Sequence, residues 1–257
     1  PYQRRGLRWR RQLSGPSGKL QRDGRQVDVG GGAVIVAIGG TPYEPTEYCY
    51  DQSDSIVTQL ELDERLADPE YAATLDEVVM IQCVGARDST HTYCGRICCL
   101  TAIKNAMLLK ERAPQTEVYV LYRDIEVHGT HFEDYYAQAR DLGIIFVRYS
   151  PQDPPEVTAE RVVVLDEMLG ARLGIPYDLL VLSTPLVPRP GTRALAQMLK
   201  VPVDEYGFFL EAHVKLRPLD FATDGVYLCG SAHWPAHLDE ARESFPRDVE
   251  KLRELPL

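Results

Sequence analysis

V78-V-M-I-Q-C-V-G-A-R-D-S-T-H-T-Y-C-G-R-I-C-C-L-T-A-I-K-N-A-M-L-L-K-E-R112 is the stretch of the chain with the clearest structural pattern. Its start, up to Val84, is an apolar run that predicts a buried strand, and residues 98–112 carry apolar side chains at helical spacing before Pro114. Downstream, residues 117–122 predict a strand, residues 131–142 a helix and residues 144–149 another strand. This strand–helix–strand–helix–strand order is typical of a parallel, doubly wound sheet with right-handed crossovers.

Shorter strands flank this unit on both sides. Residues 26–38 predict a strand pair that ends before two glycines, and residues 225–230 predict a last strand before a helix near 236–245. Two-domain flavin and nicotinamide enzymes interrupt one domain with another in this way. We therefore expect an α/β protein in which one β/α domain, residues 76–182, is inserted into a second domain formed by residues 1–75 and 183–257.

Composition narrows the class of protein. The 257-residue chain has a net charge of −10, which argues against a nucleic-acid partner, because such surfaces need clustered Lys and Arg. No apolar run reaches the roughly 18–20 residues that cross a bilayer, so we expect no membrane span. The sequence shows no secretory signal, which predicts a reducing, cytoplasmic compartment. There, cysteines serve as metal or redox ligands more often than as disulfides.

The cysteines of the opening stretch form the strongest chemical motif. Cys83, Cys94, Cys98 and Cys99 have the spacing C-x10-C-x3-C-C, which contains no C-x2-C and ends in an adjacent pair that fits a zinc knuckle badly. A disulfide between Cys98 and Cys99 would be strained. A [4Fe–4S] cluster tolerates irregular spacing, and the helix N-terminus would stabilise two of its thiolates. The residues favour a cluster and leave zinc or redox-active free thiols open.

Several runs resemble the A subunit of heterodisulfide reductase and its relatives: Q82-C-V-G-A-R-D88, Y93-C-G-R-I-C-C-L-T-A-I-K-N-A-M-L-L-K-E111, D204-E-Y-G-F-F-L-E-A-H-V-K-L216 and T223-D-G-V-Y-L-C-G230. The resemblance covers residues 30–240. It implies a thioredoxin-reductase-like arrangement, in which a nicotinamide-domain-like unit is inserted into an incomplete FAD-domain-like unit. It also implies a [4Fe–4S] cluster in the inserted unit, with ligands that match the four cysteines.

The resemblance further implies flavin-contacting residues. Lys104 matches a family lysine close to the flavin ring, where a cation would stabilise the reduced flavin. The small residues that could form walls of the flavin site are Gly39, Gly40, Gly230, Ser231 and Ala232. The chain departs from the family pattern because it lacks the N-terminal G-x-G-x-x-G and the ferredoxin-type cysteine motifs. We therefore expect a fragment, or one half of a split subunit, whose FAD is shared with or completed by another segment or chain.

Two functions follow from the resemblance. The first is an electron-transfer subunit of a heterodisulfide-reductase-like complex, an oxidoreductase that passes electrons between flavin and the cluster. Its partners would be heterodisulfide-reductase-like B and C subunits or hydrogenase-type electron donors, in a hetero-oligomer. The alternative is a non-catalytic scaffold that keeps the cluster for stability, docks partners and has lost independent FAD binding.

Overall fold

The computed structural model describes residues 9–11, 17–22, 25–30, 33–127 and 130–242. The strands in these residues are β1 Trp9–Arg11, β2 Ser17–Arg22, β3 Arg25–Gly30, β4 Val34–Val36, β5 Gly40–Pro42, β6 Ile56–Thr58, β7 Glu77–Ile81, β8 Glu117–Tyr122, β9 Ile145–Arg148, β10 Glu156–Val157, β11 Arg161–Asp166, β12 Ala171–Pro176, β13 Leu179–Leu182, β14 Leu186–Pro188 and β15 Val226–Leu228. The α-helices are α1 Gln59–Arg65, α2 Cys98–Arg112, α3 Thr130–Asp141 and α4 Thr192–Leu199.

The chain divides into two compact units, one inserted into the other. The outer unit combines Pro1–Thr41 with Val187–Leu257, and the inner unit is Pro42–Leu186. The expected division at residues 75 and 76 differs from this one. The segment before residue 75 contains β6, which pairs in parallel with β13 of the inner sheet, with Ile56 opposite Leu180. The inner unit therefore begins more than thirty residues earlier than the sequence pattern suggested.

The inner unit is built on a five-stranded parallel sheet with the strand order β6-β13-β7-β8-β9. The central strands β7 and β13 are almost entirely buried, as expected for a parallel sheet that is covered on both faces. The predicted helix over 98–112 and the predicted strand over 117–122 coincide with α2 and β8. Thus the opening stretch of the sequence contains the central strand of this sheet, β7, and the helix that follows it, α2.

Alternate residues of the sheet enter two different hydrophobic cores. Val78 and Met80 of β7 pack into one core with residues from α1, α2 and α3, whereas Val79 and Ile81 pack into the other. The second core is completed by the antiparallel sheet β10-β11-β12, for example by Val162. In the described residues, helices therefore cover one face and strands the other. The parallel β/α sheet expected from the sequence is confirmed, with its helices on one of the two faces.

The outer unit has a smaller core. Its strands β4 and β15 pair in parallel, and Phe209 and Phe221 pack edge to face nearby, with ring centroids 5.7 Å apart. The antiparallel sheet β1-β2-β3 belongs to the same unit, and β5 and β14 pair where the chain passes from one unit to the other. Helix α4, which the sequence pattern did not predict, adds Ala196 and Leu199 to this core. Of the predicted helix near 236–245, residues 238–242 are helical, residues 236 and 237 are not, and residues 243–245 lie outside the described residues.

A search of the helices in the described ranges found none with the length and apolar character needed to cross a membrane.

Candidate functional site

The four cysteines of the motif lie at the carboxyl end of β7 and at the start of α2. Cys83 lies two residues after the end of β7, Cys94 lies in the loop that follows, and Cys98 and Cys99 are the first residues of α2. These three side chains are buried, and Cys94 is partly buried. The loop between strand and helix bends sharply, because Cys83, Arg87 and Arg96 all have left-handed backbone conformations, with φ values of 63°, 55° and 57°. These bends return the loop to the sheet edge from which it started.

The thiols are close enough together for each one to interact electrostatically with the other three. Burial raises the pKa of Cys83 to about 11 and also raises the pKa of Cys94. The Cys98 thiol donates a hydrogen bond to the Cys99 sulfur, which raises the pKa of Cys98 and lowers that of Cys99. All four are free cysteines. The structure therefore places the four cysteines in one region, and their role as cluster ligands stays a prediction.

Two arginine side chains supply positive charge beside these sulfur atoms. Arg87 Nη2 lies 2.8 Å from Asp124 Oδ2, and Arg123 Nη1 donates a 3.0 Å hydrogen bond to the carbonyl of Arg87. Both guanidinium groups favour the thiolate of Cys83, against the burial that raises its pKa. Arg87 Nη1 and Arg123 Nε are buried and have no hydrogen-bond partner within the described residues. Buried donors of this kind fit a site whose acceptor is a bound anionic group.

The donor set and the charge fit an iron–sulfur cluster. Four thiolates give such a cluster a net negative charge, which the two guanidinium groups would offset. Backbone N–H groups of Arg96 and Glu126 donate to the sulfur atoms of Cys94, at 3.3 Å, and Cys99. Hydrogen bonds of this type tune cluster potentials. Within the described ranges, no three or more His, Cys, Asp or Glu side chains are close enough to hold one metal ion.

Close contacts hold the cysteine loop in shape. A Cβ on Gly85 would lie 2.2 Å from the ring of Tyr43, so this ring occupies the space above the glycine. His91 Nδ1 lies 3.0 Å from the carbonyl oxygen of Gly85, and its ring packs edge to face against Tyr43 and Tyr93. His91 is half-buried and ties the middle of the loop to its beginning.

The predicted flavin-wall residues lie in the outer unit. Gly39 and Gly40 follow β4, while Gly230, Ser231 and Ala232 form a 3-10 turn after β15. Because β4 and β15 run parallel, the two turns leave the strand pair at the same edge. Ligands of α/β proteins bind at this type of edge. The five residues are thus brought to one place, and their contact with flavin stays a prediction.

A cleft of about 160 Å³ adjoins Gly230 in the outer unit. His233 and Trp234 line it with their rings stacked at a centroid distance of 3.9 Å, and His233 Nε2 lies 2.5 Å from Glu211 Oε2. Burial lowers the pKa of His233, and the Glu211 carboxylate opposes this change. The sequence pattern did not predict the largely buried pair formed by His233 and Glu211.

Lys104 lies on α2, past the first turn that begins with the two adjacent cysteines. Its side chain is 52% exposed and forms an ion pair with Asp63. One helix thus carries two of the four cysteines and an ammonium group. A role for this ammonium beside a flavin stays a prediction.

Sequence reasoning missed Arg87, Arg123 and Asp124 as parts of the cysteine site. A signal for two of them was present, because residues 123 and 124 directly follow β8, the strand next to β7. The carboxyl ends of neighbouring parallel strands meet at one edge of a sheet, where sites are usually built.

The chain has a fold of the thioredoxin reductase type, with one unit inserted into the other. Thioredoxin reductase from T. acidophilum matches with a TM-score of 0.58 over 96% of this chain and 72% of that chain, at 14% identity. The HOCl-induced flavoprotein disulfide reductase RclA from Escherichia coli matches with a TM-score of 0.56 over 92% and 47% of the two chains, at 13% identity. At these identities the likeness concerns the fold alone.

The chain belongs to the family formed by the A subunit of heterodisulfide reductase and its relatives. It is 39% identical over 229 residues to the iron-sulfur A subunit of CoB–CoM heterodisulfide reductase from Methanocaldococcus jannaschii, with 81% of this chain and 35% of that protein covered. It is 36% identical over 242 residues to the A subunit of the H(2):CoB-CoM heterodisulfide,ferredoxin reductase from Methanothermobacter thermautotrophicus, covering 87% and 37%. The chain therefore spans about a third of the length of these curated relatives. No family model matches it.

Proposed function

We propose that this chain is an electron-transfer segment of an oxidoreductase, passing electrons between a flavin and a [4Fe–4S] cluster in a heterodisulfide-reductase-like complex. The observation that carries the proposal is the mutual proximity of four thiols beside two guanidinium groups with buried, unpartnered donors. The family supports it, since a relative at 39% identity is named an iron-sulfur subunit. The fold supports the flavin, since the solved structures of this fold include a flavoprotein reductase.

Each part of the chain has a distinct task in this proposal. The four cysteines bind the cluster, which supplies a centre that accepts and returns one electron at a time. Arg87 and Arg123 offset the charge of the four thiolates. The turns after β4 and β15 bind FAD, whose site is completed by another segment or chain. Lys104 exchanges its contact with Asp63 for one with the flavin, where its positive charge favours the reduced form.

The partners we propose are other subunits of a redox complex, of the heterodisulfide reductase B and C type or hydrogenase-type electron donors. Three curated relatives at 34–39% identity are named as the A subunit or the iron-sulfur A subunit of such reductases, which supports a hetero-oligomer. The proposed compartment is the cytoplasm, because thiolate ligands need a reducing environment while the cluster is assembled.

Anaerobic reconstitution of the purified 257-residue chain tests the cluster. We expect about four iron atoms and about four sulfide ions per chain, with the broad absorbance near roughly 400 nm that is typical of a [4Fe–4S] cluster. Cys98→Ser should reduce the iron to less than about half, since one of the four ligands is lost. Cys49→Ser is the matched control, because Cys49 is an exposed free cysteine outside the quartet. Stoichiometric zinc in place of iron would contradict the proposal.

Flavin analysis of the complex assembled with the partner subunits separates this proposal from the scaffold alternative. Electron transfer requires FAD in the complex formed with the partner subunits, whereas a scaffold would retain iron and contain no flavin there. Iron without flavin in the assembled complex would therefore replace the proposed function with the structural one.

A further inference from the structure

Arg87 is held in place on three sides. Its backbone N–H donates a 3.2 Å hydrogen bond to the carbonyl of Tyr93, the residue before Cys94. Its Nη2 lies 2.8 Å from the carboxylate of Asp124, and its own carbonyl accepts a hydrogen bond from Arg123. The Nη2 atom of the guanidinium group is thus fixed, and because the group is planar, the position of Nη1 is restricted as well. A planar fork fixed in this way directs its remaining donors to a defined place.

Asp124 connects the Nη2 atom of Arg87 to the four cysteines. Asp124, which binds the guanidinium through its carboxylate, lies with its backbone carbonyl 3.8 Å from the Cys99 sulfur. Burial raises the pKa of Cys83 and Cys94, and the Arg87 charge opposes this rise at both. Arg87 therefore acts on sulfur atoms at the start, the middle and the end of the cysteine motif.

The other arm of the fork lacks an acceptor. Arg87 Nη1 is buried and makes no hydrogen bond within the described residues. Native proteins leave few buried donors unpaired, and those few call for an explanation such as a bound ion or group. The sulfur atoms of a cluster are hydrogen-bond acceptors, and donors to them raise the reduction potential.

We propose that Arg87 is a positioning residue that sets the reduction potential of the group bound by the four cysteines, with its Nη1 donating a hydrogen bond to a sulfur atom of that group. This inference rests on the proposed function. Reduction adds one electron and one unit of negative charge, and Arg87 keeps its proton throughout. A fixed cation and donor beside the group stabilises the more negative, reduced state, and so raises the potential.

Arg148 provides a matched control on the same carboxylate. Its Nη2 lies 3.5 Å from the other oxygen of Asp124, and its Nε lies 3.6 Å from Glu167. It carries the same charge as Arg87, but its side chain is half-exposed and is shared between two carboxylates. Solvent screens a charge in such a position.

The experiment is an anaerobic redox titration of the reconstituted chain, followed by electron paramagnetic resonance. Arg87→Met should make reduction about tenfold less favourable, a shift of about 59 mV to more negative potential for one electron. Arg148→Met should change the equilibrium constant for reduction by less than about threefold, because the charge of Arg148 is screened by solvent. An unchanged potential in Arg87→Met, or an equal shift in Arg148→Met, would overturn the inference.

A second variant covers the case in which Arg87→Met loses the cluster. If Arg87→Met does not retain iron, Arg87→Lys is titrated instead; it keeps the charge and loses the fork, so a smaller shift in the same direction is expected. An unchanged potential in Arg87→Lys would then overturn the inference. If the unmodified chain itself binds no iron, the proposed function fails, whereas iron with an unaltered potential in the variants refutes the role of Arg87 alone.

Discussion

Gly95 offers a direct test of how tightly the cysteine loop is built, because a single methyl group added there meets rigid neighbours. A Cβ on this residue would lie 3.0 Å from Cys98 Sγ and 3.0 Å from both Cα and Cβ of Pro185. Non-bonded carbon atoms prefer a separation of about 3.5–4.0 Å, so each contact is too short by about 0.5 Å or more. Pro185 cannot rotate away, and the loop or the Cys98 side chain must move instead.

The expected cost of Gly95→Ala can be estimated from two opposing effects. Overpacking of this type typically destabilises a protein by about 1–3 kcal/mol. Gly95 does not have a positive φ, so alanine adopts its backbone conformation without strain, and the smaller entropy of the unfolded chain returns about 0.4–1 kcal/mol. We expect a net loss of about 1–2 kcal/mol in the free energy of unfolding, or roughly 2–8 °C in Tm for a protein of this size.

Thermal and urea unfolding of the reduced chain measure this loss, and iron analysis after anaerobic reconstitution measures its effect on the site. Gly174→Ala is the control, because the nearest atoms to its added Cβ are at 3.7 Å and belong to the flexible side chain of Arg161. The iron content should fall in Gly95→Ala and remain unchanged in Gly174→Ala. If Gly95→Ala is as stable and binds as much iron as the unmodified chain, the loop is not packed as described.

Three further predictions concern other parts of the chain. Thr58→Ala removes the capping box at the start of α1, in which Glu61 Oε2 also accepts a 2.7 Å hydrogen bond from the Thr58 backbone; urea unfolding should show a loss of about 1 kcal/mol. Tyr149→Phe removes a buried 2.9 Å hydrogen bond to the carbonyl of Gln82, next to the first cysteine, and should cost about 1–3 kcal/mol while far-UV circular dichroism stays unchanged. Burial lowers the pKa of His233, so the unfolded chain binds more protons below about pH 6.5, and stability should fall as the pH decreases from there. Urea unfolding across about pH 5–8 should show that the free energy of unfolding of the unmodified chain falls with decreasing pH, and that it falls less in His233→Gln. Equal slopes in the two proteins would contradict the assignment of this pH dependence to His233.

The sequence alone predicted the inner sheet well and its surroundings less well. Strand β8 and helix α2 have the predicted bounds, because the apolar periodicity of both segments is long and uninterrupted. The edge strand β6 escaped prediction, since its three residues, Ile56–Thr58, are too short to show a period, and it joins the sheet only through pairing with β13. Long-range pairing of that kind leaves no local trace in the sequence.

The candidate site shows the same contrast. The spacing of the cysteines is visible in the sequence, because Cys94, Cys98 and Cys99 lie close together along the chain, in a loop and at the start of the helix that follows it. Arg123 and Asp124 were not predicted, since they reach the site from the next strand of the sheet, far along the chain. The flavin-wall residues were inferred from family resemblance, and only the parallel register of β4 and β15 brings their two turns to one edge.

The first crossover of the inner sheet is chemically distinct from the dinucleotide site of related folds. In such sites, glycines after the first strand let a pyrophosphate approach the helix N-terminus. Here the space above Gly85 is filled by the ring of Tyr43, the carbonyl of Gly85 is bound by His91, and α2 begins with two buried cysteines. The chain's own side chains thus occupy the space beside this turn, and two buried cysteines begin the helix. Because one helix N-terminus cannot serve both ligands, these contacts support the proposed sulfur-bound metal group at this crossover rather than a nicotinamide.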